Sequence, residues 1–194
     1  MRSLRRLGVL VVCALALSGC TLVSTSSSPS LISPNDVPLG LLDPTIPFTD
    51  FAQVHFVTRQ IYLVDHSQHV VAVNRLVTSP PTLSEVLHYV PLGPTANEQA
   101  NGITTEIPST MVVNQANMPN DDGIALVDVS GALLQLTPNA RRLAVAQLLF
   151  TAQAMGADTG IKISINQIPF TLQLTNGSNV TLITPAELDY LRQR

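Results

Sequence analysis

From residue 51 onward the chain alternates short apolar segments with turn residues. Apolar runs of about four to eight residues bounded by Gly, Pro, Asn or Asp are typical of β-strands. The pattern predicts strands at residues 51–57, 61–64, 69–77, 107–114, 124–129, 161–165, 170–174 and 180–183. Three polar turn sequences should join successive strands into hairpins: Asp65-His66-Ser67-Gln68, Asn120-Asp121-Asp122-Gly123 and Asn176-Gly177.

Four segments begin with a threonine in the position of a helix N-cap. In three of them a glutamate three residues later completes a capping box: Thr82 with Glu85, Thr95 with Glu98, and Thr184 with Glu187. The first of these helices should end before Pro91, because proline interrupts a helix. The fourth threonine, Thr137, precedes Pro138 and opens the longest helix, which we predict to end at about Met155, before Gly156.

Strands and helices alternate in an α+β pattern, which predicts a single mixed β-sheet with helices packed on one face. Residues 143–150 are apolar apart from Gln147, so the long helix should be the most deeply buried. Gln147 and Thr151 lie four residues apart on that helix. We expect them to bind backbone groups of a neighbouring strand rather than a substrate.

The first 19 residues have the three parts of a secretion signal: Arg2, Arg5 and Arg6, an apolar stretch over residues 7–17, and a cleavage site. The stretch is too short to cross a bilayer as a helix. Leu17-Ser18-Gly19-Cys20 resembles the lipobox of bacterial lipoproteins, in which the cysteine is lipidated and becomes the mature N-terminus. We expect lipidation at Cys20; the alternative is an ordinary secretion signal with an incidental cysteine.

Three regions follow from this pattern. Residues 1–19 form the lipoprotein signal peptide, and residues 20–50 form the lipidated cysteine with a tether rich in Ser, Thr and Pro. Residues 51–194 form one folded domain. The expected location is the extracytoplasmic face of the cell membrane, with the protein held there by lipid.

Composition excludes thiol-based sites and argues against nucleic-acid binding. Cys13 would leave with the leader and Cys20 would carry lipid, so a mature protein of this kind has no thiol for a disulfide, zinc site or nucleophile. Loss of the three leader arginines leaves seven Lys plus Arg against 13 acidic residues, a formal charge of −6. An acidic domain binds nucleic acid poorly, so no nucleic-acid partner is expected.

The sequence contains none of the short motifs of a serine-hydrolase elbow, phosphate loop, zinc protease or dinucleotide site. We therefore expect no enzymatic activity, catalytic residue or cofactor. A metal site would start from Asp65, His66 and His69, but polar residues are the default in a turn, and no metal is expected. Asp121 and Asp122 lack the spacing of a calcium loop. His55 and His88 stand alone in the sequence.

Several ordered motifs resemble the GerMN family, first described in spore-germination and sporulation proteins and common in actinobacterial envelope lipoproteins. The most specific are Gly93-Pro94-Thr95-x-x-Glu98 and Gly102-Ile103-x-Thr105-x-Ile107-Pro108. Further matches are Ile61-Tyr62-Leu63-Val64, Val73-Asn74-Arg75-Leu76-Val77, residues 82–90, Val127-Asp128-Val129-Ser130 and Leu143-Ala144-x-Ala146-Gln147-x-x-x-Thr151. The resemblance covers roughly residues 62–190. One departure is Asn166-Gln167, where the family often has Asp-Gly, and this puts the turn geometry there in doubt.

The resemblance implies an α/β module of the ring-building type that associates with membrane complexes. The first hypothesis is therefore a non-catalytic interaction module that engages an envelope protein. A second hypothesis is a small-ligand or cell-wall-glycan binder, with Asp65, His66, Arg75 and Asp128 as its polar lining. The absence of Trp and an aromatic content of 4 % leave few groups on which a sugar could stack.

Overall fold

The computed structural model describes residues 55–193. Its nine strands and four α-helices give the expected α+β class, and the order of the elements follows the sequence pattern. The strands are β1 Phe56–Val64, β2 Val70–Thr78, β3 Val113–Asn117, β4 Ile124–Val129, β5 Gly160–Ile165, β6 Ile168–Pro169, β7 Leu172–Gln173, β8 Asn179–Val180 and β9 Leu182–Ile183. The helices are α1 Leu83–Leu92, α2 Ala96–Ala100, α3 Pro138–Gln153 and α4 Pro185–Leu188, with 3-10 turns at Gly131–Gln135 and Asp189–Leu191.

The largest sheet is mixed. Its strands run in the order β3-β4-β5-β6, and β9 also pairs with β5. Strand β4 runs antiparallel to β3 and parallel to β5. The connection from β4 to β5 contains α3, as a parallel crossover requires. Helix α1 contacts β3 and α3 contacts β5.

The sequence pattern predicted a single sheet, but the strands of residues 55–193 form three sheets. Strands β1 and β2 form a separate antiparallel hairpin, and β7 pairs with β8 alone. The reason lies in α3, whose residues 143–152 are all buried. A helix that is apolar almost all round must be covered on more than one side. The β1–β2 hairpin supplies a second cover, since α3 contacts both β1 and β5.

Several predicted boundaries were wrong. Within the described residues β1 is one strand from Phe56, although a break was expected between residues 57 and 61. The strand predicted at 107–114 begins only at Val113, because the chain turns after Pro108, whose carbonyl accepts from the Met111 N–H at 2.8 Å. Strands 170–174 and 180–183 shrink to three two-residue pieces.

The first helix continues through Pro91 to Leu92 and ends at Gly93, which has φ +74°. Pro91 removes one hydrogen bond from the helix, because it has no N–H to donate to the carbonyl four residues before it, and the helix ends one residue later. Its expected capping box is only half formed. The Thr82 hydroxyl accepts from the Glu85 N–H, but the Glu85 carboxylate accepts from Thr78 N–H at 2.8 Å and so joins α1 to β2.

The other caps are as predicted. Thr95 and Glu98 form a reciprocal capping box on α2, and Gly102 reverses the chain at φ +79°. Thr137 caps α3 by accepting from Ala140 N–H. The Glu187 carboxylate accepts from both the backbone N–H and the hydroxyl of Thr184.

The join between β5 and β9 requires a glycine. Gly160 has φ +143°, and a Cβ built there would lie 2.3 Å from the carbonyl oxygen of Ile183 in β9. That separation is far inside van der Waals contact, so any side chain would push the two backbones apart.

Candidate functional site

One face of the mixed sheet carries polar side chains. Along β4 and β5 the residues alternate, so that Ala125, Val127, Val129, Ile161, Ile163 and Ile165 are buried. The intervening residues face the opposite side, where Leu126 pairs with Lys162 and Asp128 pairs with Ser164 across the two strands. We call this second side the open face.

A groove of about 620 Å³ runs over the open face. Its lining is rich in side-chain amides and contains no aromatic residue: Asn114, Gln115, Asn117, Leu126, Val127, Asp128, Lys162, Ile163, Ser164, Gln167 and Pro169. The volume falls within the range of sites that bind small ligands or peptide side chains.

Asp128 lies in the groove and is held by three donors. One carboxylate oxygen accepts from the Ser164 hydroxyl and from the Gln167 N–H at 2.7 Å, and the other accepts from the Asn114 amide at 2.8 Å. The hydrogen bond from Ser164, followed by those from Asn114 and Gln167, lowers the pKa of Asp128 below its ordinary value. Asp128 is therefore an anion whose hydrogen-bonding capacity is largely used within the protein.

The Gln167 N–H bond fixes the turn between β5 and β6. Asn166 and Gln167 both have positive φ, at +49° and +69°, which is the pattern of a type I′ turn. The tight hairpin is thus kept despite the departure from Asp-Gly. Asn tolerates this conformation but Gln does so at a cost. The Asp128 carboxylate offsets part of that cost by holding Gln167 N–H, and Val129 carbonyl accepts from Asn166 N–H at 3.0 Å.

Lys162 is the single lysine of the chain, and its side chain is exposed in the groove. Among residues 55–193 the one ion pair that forms joins Arg75 to Glu98, so Lys162 has no acidic partner there. Sequence reasoning missed both Lys162 and Gln167. The signal for Lys162 was available, since it interrupts an isoleucine-rich strand at a position that alternation sends to the open face.

A smaller cleft of about 370 Å³ lies beside β6. It shares Pro169 with the groove. Its apolar lining includes Leu134, Ile168 and Phe170, and the first two of these side chains are exposed.

Gln147 and Thr151 are buried, and they bind β1 as the sequence had indicated. The Thr151 hydroxyl accepts from the Tyr62 N–H at 2.9 Å, and the Gln147 amide donates to the Tyr62 carbonyl at 3.2 Å. The Gln147 carbonyl oxygen also accepts from the Glu106 N–H at 2.9 Å. The two side chains thus replace a neighbouring strand at the edge of β1, which confirms the structural interpretation.

Arg75 does not line the groove. Its guanidinium makes two 2.7 Å hydrogen bonds to the Glu98 carboxylate and donates to the Gly93 carbonyl at 3.2 Å. The hydrogen bond from Arg75 is the largest influence on Glu98 and lowers its pKa to about 2; burial opposes this, while Thr95 N–H adds to it. The pair therefore ties β2 to the start of α2.

Asp65, His66 and His69 belong to the β1–β2 turn. Asp65 is buried and accepts from the N–H groups of Ser67 and His69, so its carboxylate shapes the turn. His66 packs beside Gly102. Within residues 55–193 no three His, Cys, Asp or Glu side chains are grouped so that they could hold a metal ion.

The remaining single residues have simple surroundings. Asp121 and Asp122 lie in the β3–β4 turn, where the Asp122 carbonyl accepts from the Thr159 hydroxyl and its carboxylate from the Asn120 amide. His55 and His88 are exposed. Cys20 lies outside the described residues. No helix among residues 55–193 combines the length and apolar character that a membrane span needs.

The fold and the groove define an α+β domain with an uncovered polar sheet face. Residues 60–170 match the Germane family, described as sporulation and spore germination. The chain belongs to this family, and the resemblance expected for residues 62–190 is confirmed over most of that range.

Two solved structures from Bacillus subtilis share the fold. The chain is similar to the first GerMN domain of the sporulation protein GerM, with 23 % identity and a TM-score of 0.55 over 67 % of this chain and 98 % of that one. It is similar to the tandem GerMN domains of the same protein with the same identity and TM-score, over 66 % of this chain. The chain spans 46 % of that tandem structure. No curated protein matches the chain.

Proposed function

We propose that this protein is a lipoprotein anchored through Cys20 at the extracytoplasmic face of the cell membrane, and that its GerMN-like domain is a non-catalytic module that binds an envelope protein. The proposal that the domain binds a protein rests on the open face of the mixed sheet. This face presents a polar groove with an exposed cation, whereas Gln147 and Thr151 of α3 bind backbone groups inside the domain.

Three carboxylates of the domain have structural roles that favour binding over catalysis. Asp128 holds the β5–β6 turn, Glu98 pairs with Arg75, and Glu187 caps α4. A general acid or base needs a proton that it can exchange at working pH. The lowered pKa values of Asp128 and Glu98 keep both groups ionised, which suits fixed electrostatic roles.

The proposal of a lipid anchor is based on the sequence Leu17-Ser18-Gly19-Cys20 and on the basic and apolar residues that precede this motif. Cells expressing the protein should incorporate a fatty-acid analogue into it, and Cys20→Ala should abolish that labelling. Cys13→Ala is the matched control, because it removes the other cysteine and should leave labelling unchanged. Labelling that persists in Cys20→Ala would refute the anchor.

The interaction role is tested in the native envelope. Chemical cross-linking followed by mass spectrometry should capture a protein partner with the complete lipoprotein. A variant that keeps residues 1–50 but lacks the domain should lose that partner. Equal capture by the two forms would show that the tether or the lipid, and not the domain, makes the contact.

A ligand-binding role is the second candidate, because the groove has the volume of a small-ligand site and contains Asp128. Its proposed lining is not assembled, however. Arg75, Asp65 and His66 are engaged or placed elsewhere, and only Asp128 of the four lies in the groove. A rise in the unfolding temperature of the mature protein with cell-wall glycan fragments would favour this role.

A further inference from the structure

The groove offers hydrogen-bond donors that have no acceptor within the protein. Asp128, its one carboxylate, already accepts from Ser164, Gln167 and Asn114. Lys162 brings a positive charge and three N–H donors without an acidic partner among residues 55–193. A ligand group that complements Lys162 must therefore supply acceptors and negative charge, and a carboxylate supplies both.

The Gln167 side chain is placed at the groove by a backbone conformation that glutamine rarely adopts. Its φ of +69° would suit glycine better, yet the residue lines the groove between Asp128 and Pro169. Strained positions of this kind are concentrated at binding sites, where the side chain is needed despite its cost. The Gln167 amide can both donate and accept, as contact with a peptide group requires.

The smaller cleft is adjacent to the groove, because Pro169 lines both cavities. Its lining also contains Arg141, whose guanidinium donates to the carbonyls of Leu133, Leu134 and Leu136. Exposed Leu134 and Ile168 give the cleft the character of a pocket for one aliphatic or aromatic side chain. A chain crossing β6 would reach both cavities. The groove has no aromatic residue on which a sugar ring could stack, which favours a peptide over a glycan.

We propose that the partner presents an extended segment to the open face, with an Asp or Glu carboxylate on Lys162, a peptide group at Gln167 and an apolar side chain in the cleft beside Ile168. This inference rests on the proposed interaction function. It adds the surface, the chemistry of the partner segment and the residues that recognise it.

The single lysine makes a direct test possible. A carbodiimide joins an amine only to a carboxylate that is already in contact with it, and Lys162 is the one lysine in the chain. The complete lipoprotein in its native envelope should give a cross-link from Lys162 to an Asp or Glu of a protein partner, identified by mass spectrometry.

Two substitutions of Lys162 separate the effect of its positive charge from the reactivity of its amine. Lys162→Arg keeps the charge but removes the amine, so the cross-link should vanish while the partner is still captured by a photoreactive cross-linker. Lys162→Glu should reduce photo-capture by at least about tenfold, because two carboxylates would then face each other. Gln167→Gly should also reduce capture without loss of folded protein.

Full capture by Lys162→Glu would overturn the proposed recognition, and so would a Lys162 cross-link to a sugar carboxylate. If the domain deletion loses the partner but Lys162→Glu keeps it, the interaction function stands and this surface is wrong. If the domain deletion keeps the partner, both proposals fail.

Discussion

Helix α3 and the open face of the mixed sheet both carry polar side chains, but in different surroundings. On α3, Gln147 and Thr151 are buried and bind the backbone of Tyr62, so their groups are spent on holding the hairpin to the helix. On the open face, Lys162 is exposed and has no acidic partner among residues 55–193. We therefore expect Gln147 and Thr151 to determine stability and Lys162 to be available for recognition. The difference can be measured, because substitutions in the two regions should separate stability from binding.

The largest loss of stability should follow Gln147→Leu. This change of similar size leaves the buried Tyr62 carbonyl and the part-buried Glu106 N–H without their side-chain partners. We expect a loss of about 3 kcal/mol in the free energy of unfolding, measured by urea titration. Gln153→Leu at the end of the same helix is the control and should cost less than about 0.5 kcal/mol. Equal effects at the two positions would mean that the Gln147 contacts contribute nothing.

Thr151→Val should have a smaller effect of the same kind. It preserves the shape of the side chain but removes the acceptor of the Tyr62 N–H. The expected cost is about 1–2 kcal/mol in urea unfolding. Thr181→Val, at an exposed threonine, should change stability by less than about 0.5 kcal/mol. A Thr151→Val protein as stable as the parent would show that β1 does not need this bond.

The Arg75–Glu98 pair should make stability depend on acid. The pKa of Glu98 in the folded state is about 2, below its ordinary value of 4.5. The stabilisation is therefore complete above pH 4.5 and is lost as the pH falls from 4.5 to 2. The side chains of Arg75 and Glu98 are 10 % and 20 % exposed, so solvent screens the pair in part and we expect a contribution of about 1–2 kcal/mol.

The measurement compares Glu98→Gln with the parent by urea unfolding at several pH values. The stability difference should be full at pH 7 and shrink toward pH 2. Glu106→Gln removes a carboxylate from the same segment and serves as the control. A difference between Glu98→Gln and the parent that stays constant with pH would contradict the lowered pKa.

The smallest expected change is a gain. Gln167→Gly leaves Asn-Gly in the β5–β6 turn, the sequence that a type I′ turn prefers. Relief of the positive φ should raise stability by about 0.5 kcal/mol, although glycine also adds freedom to the unfolded chain. Thermal unfolding would measure this gain. A clear loss of stability would mean that the glutamine side chain supports the turn and is not held there for recognition.

Sequence reasoning succeeded where the determinant is local. A threonine followed by a glutamate three residues later correctly located three helix starts, because both halves of a cap lie within one turn. The contacts of Gln147 and Thr151 were also predicted. Polar side chains on a buried helix need hydrogen-bond partners, and the backbone of a neighbouring strand can supply them.

The groove could not be predicted in the same way. Asp128 becomes a turn-holding group only because β5 lies beside β4 and brings Ser164 and Gln167 to it. The separate β1–β2 sheet likewise depends on how α3 is covered in three dimensions. Alternation along β5 places Lys162 opposite the buried isoleucines, but which face of the sheet the helices cover is decided by the whole fold.

The most direct test of the proposed recognition is to locate the surface from which a partner is captured. A photoreactive amino acid placed at Leu126 reports on the open face, and one placed at Leu76 reports on the β1–β2 hairpin; the native side chains are 52 % and 65 % exposed. Irradiation in the native envelope should cross-link the partner from position 126 and not from position 76. Capture from position 76 alone would contradict the assignment of recognition to the open face.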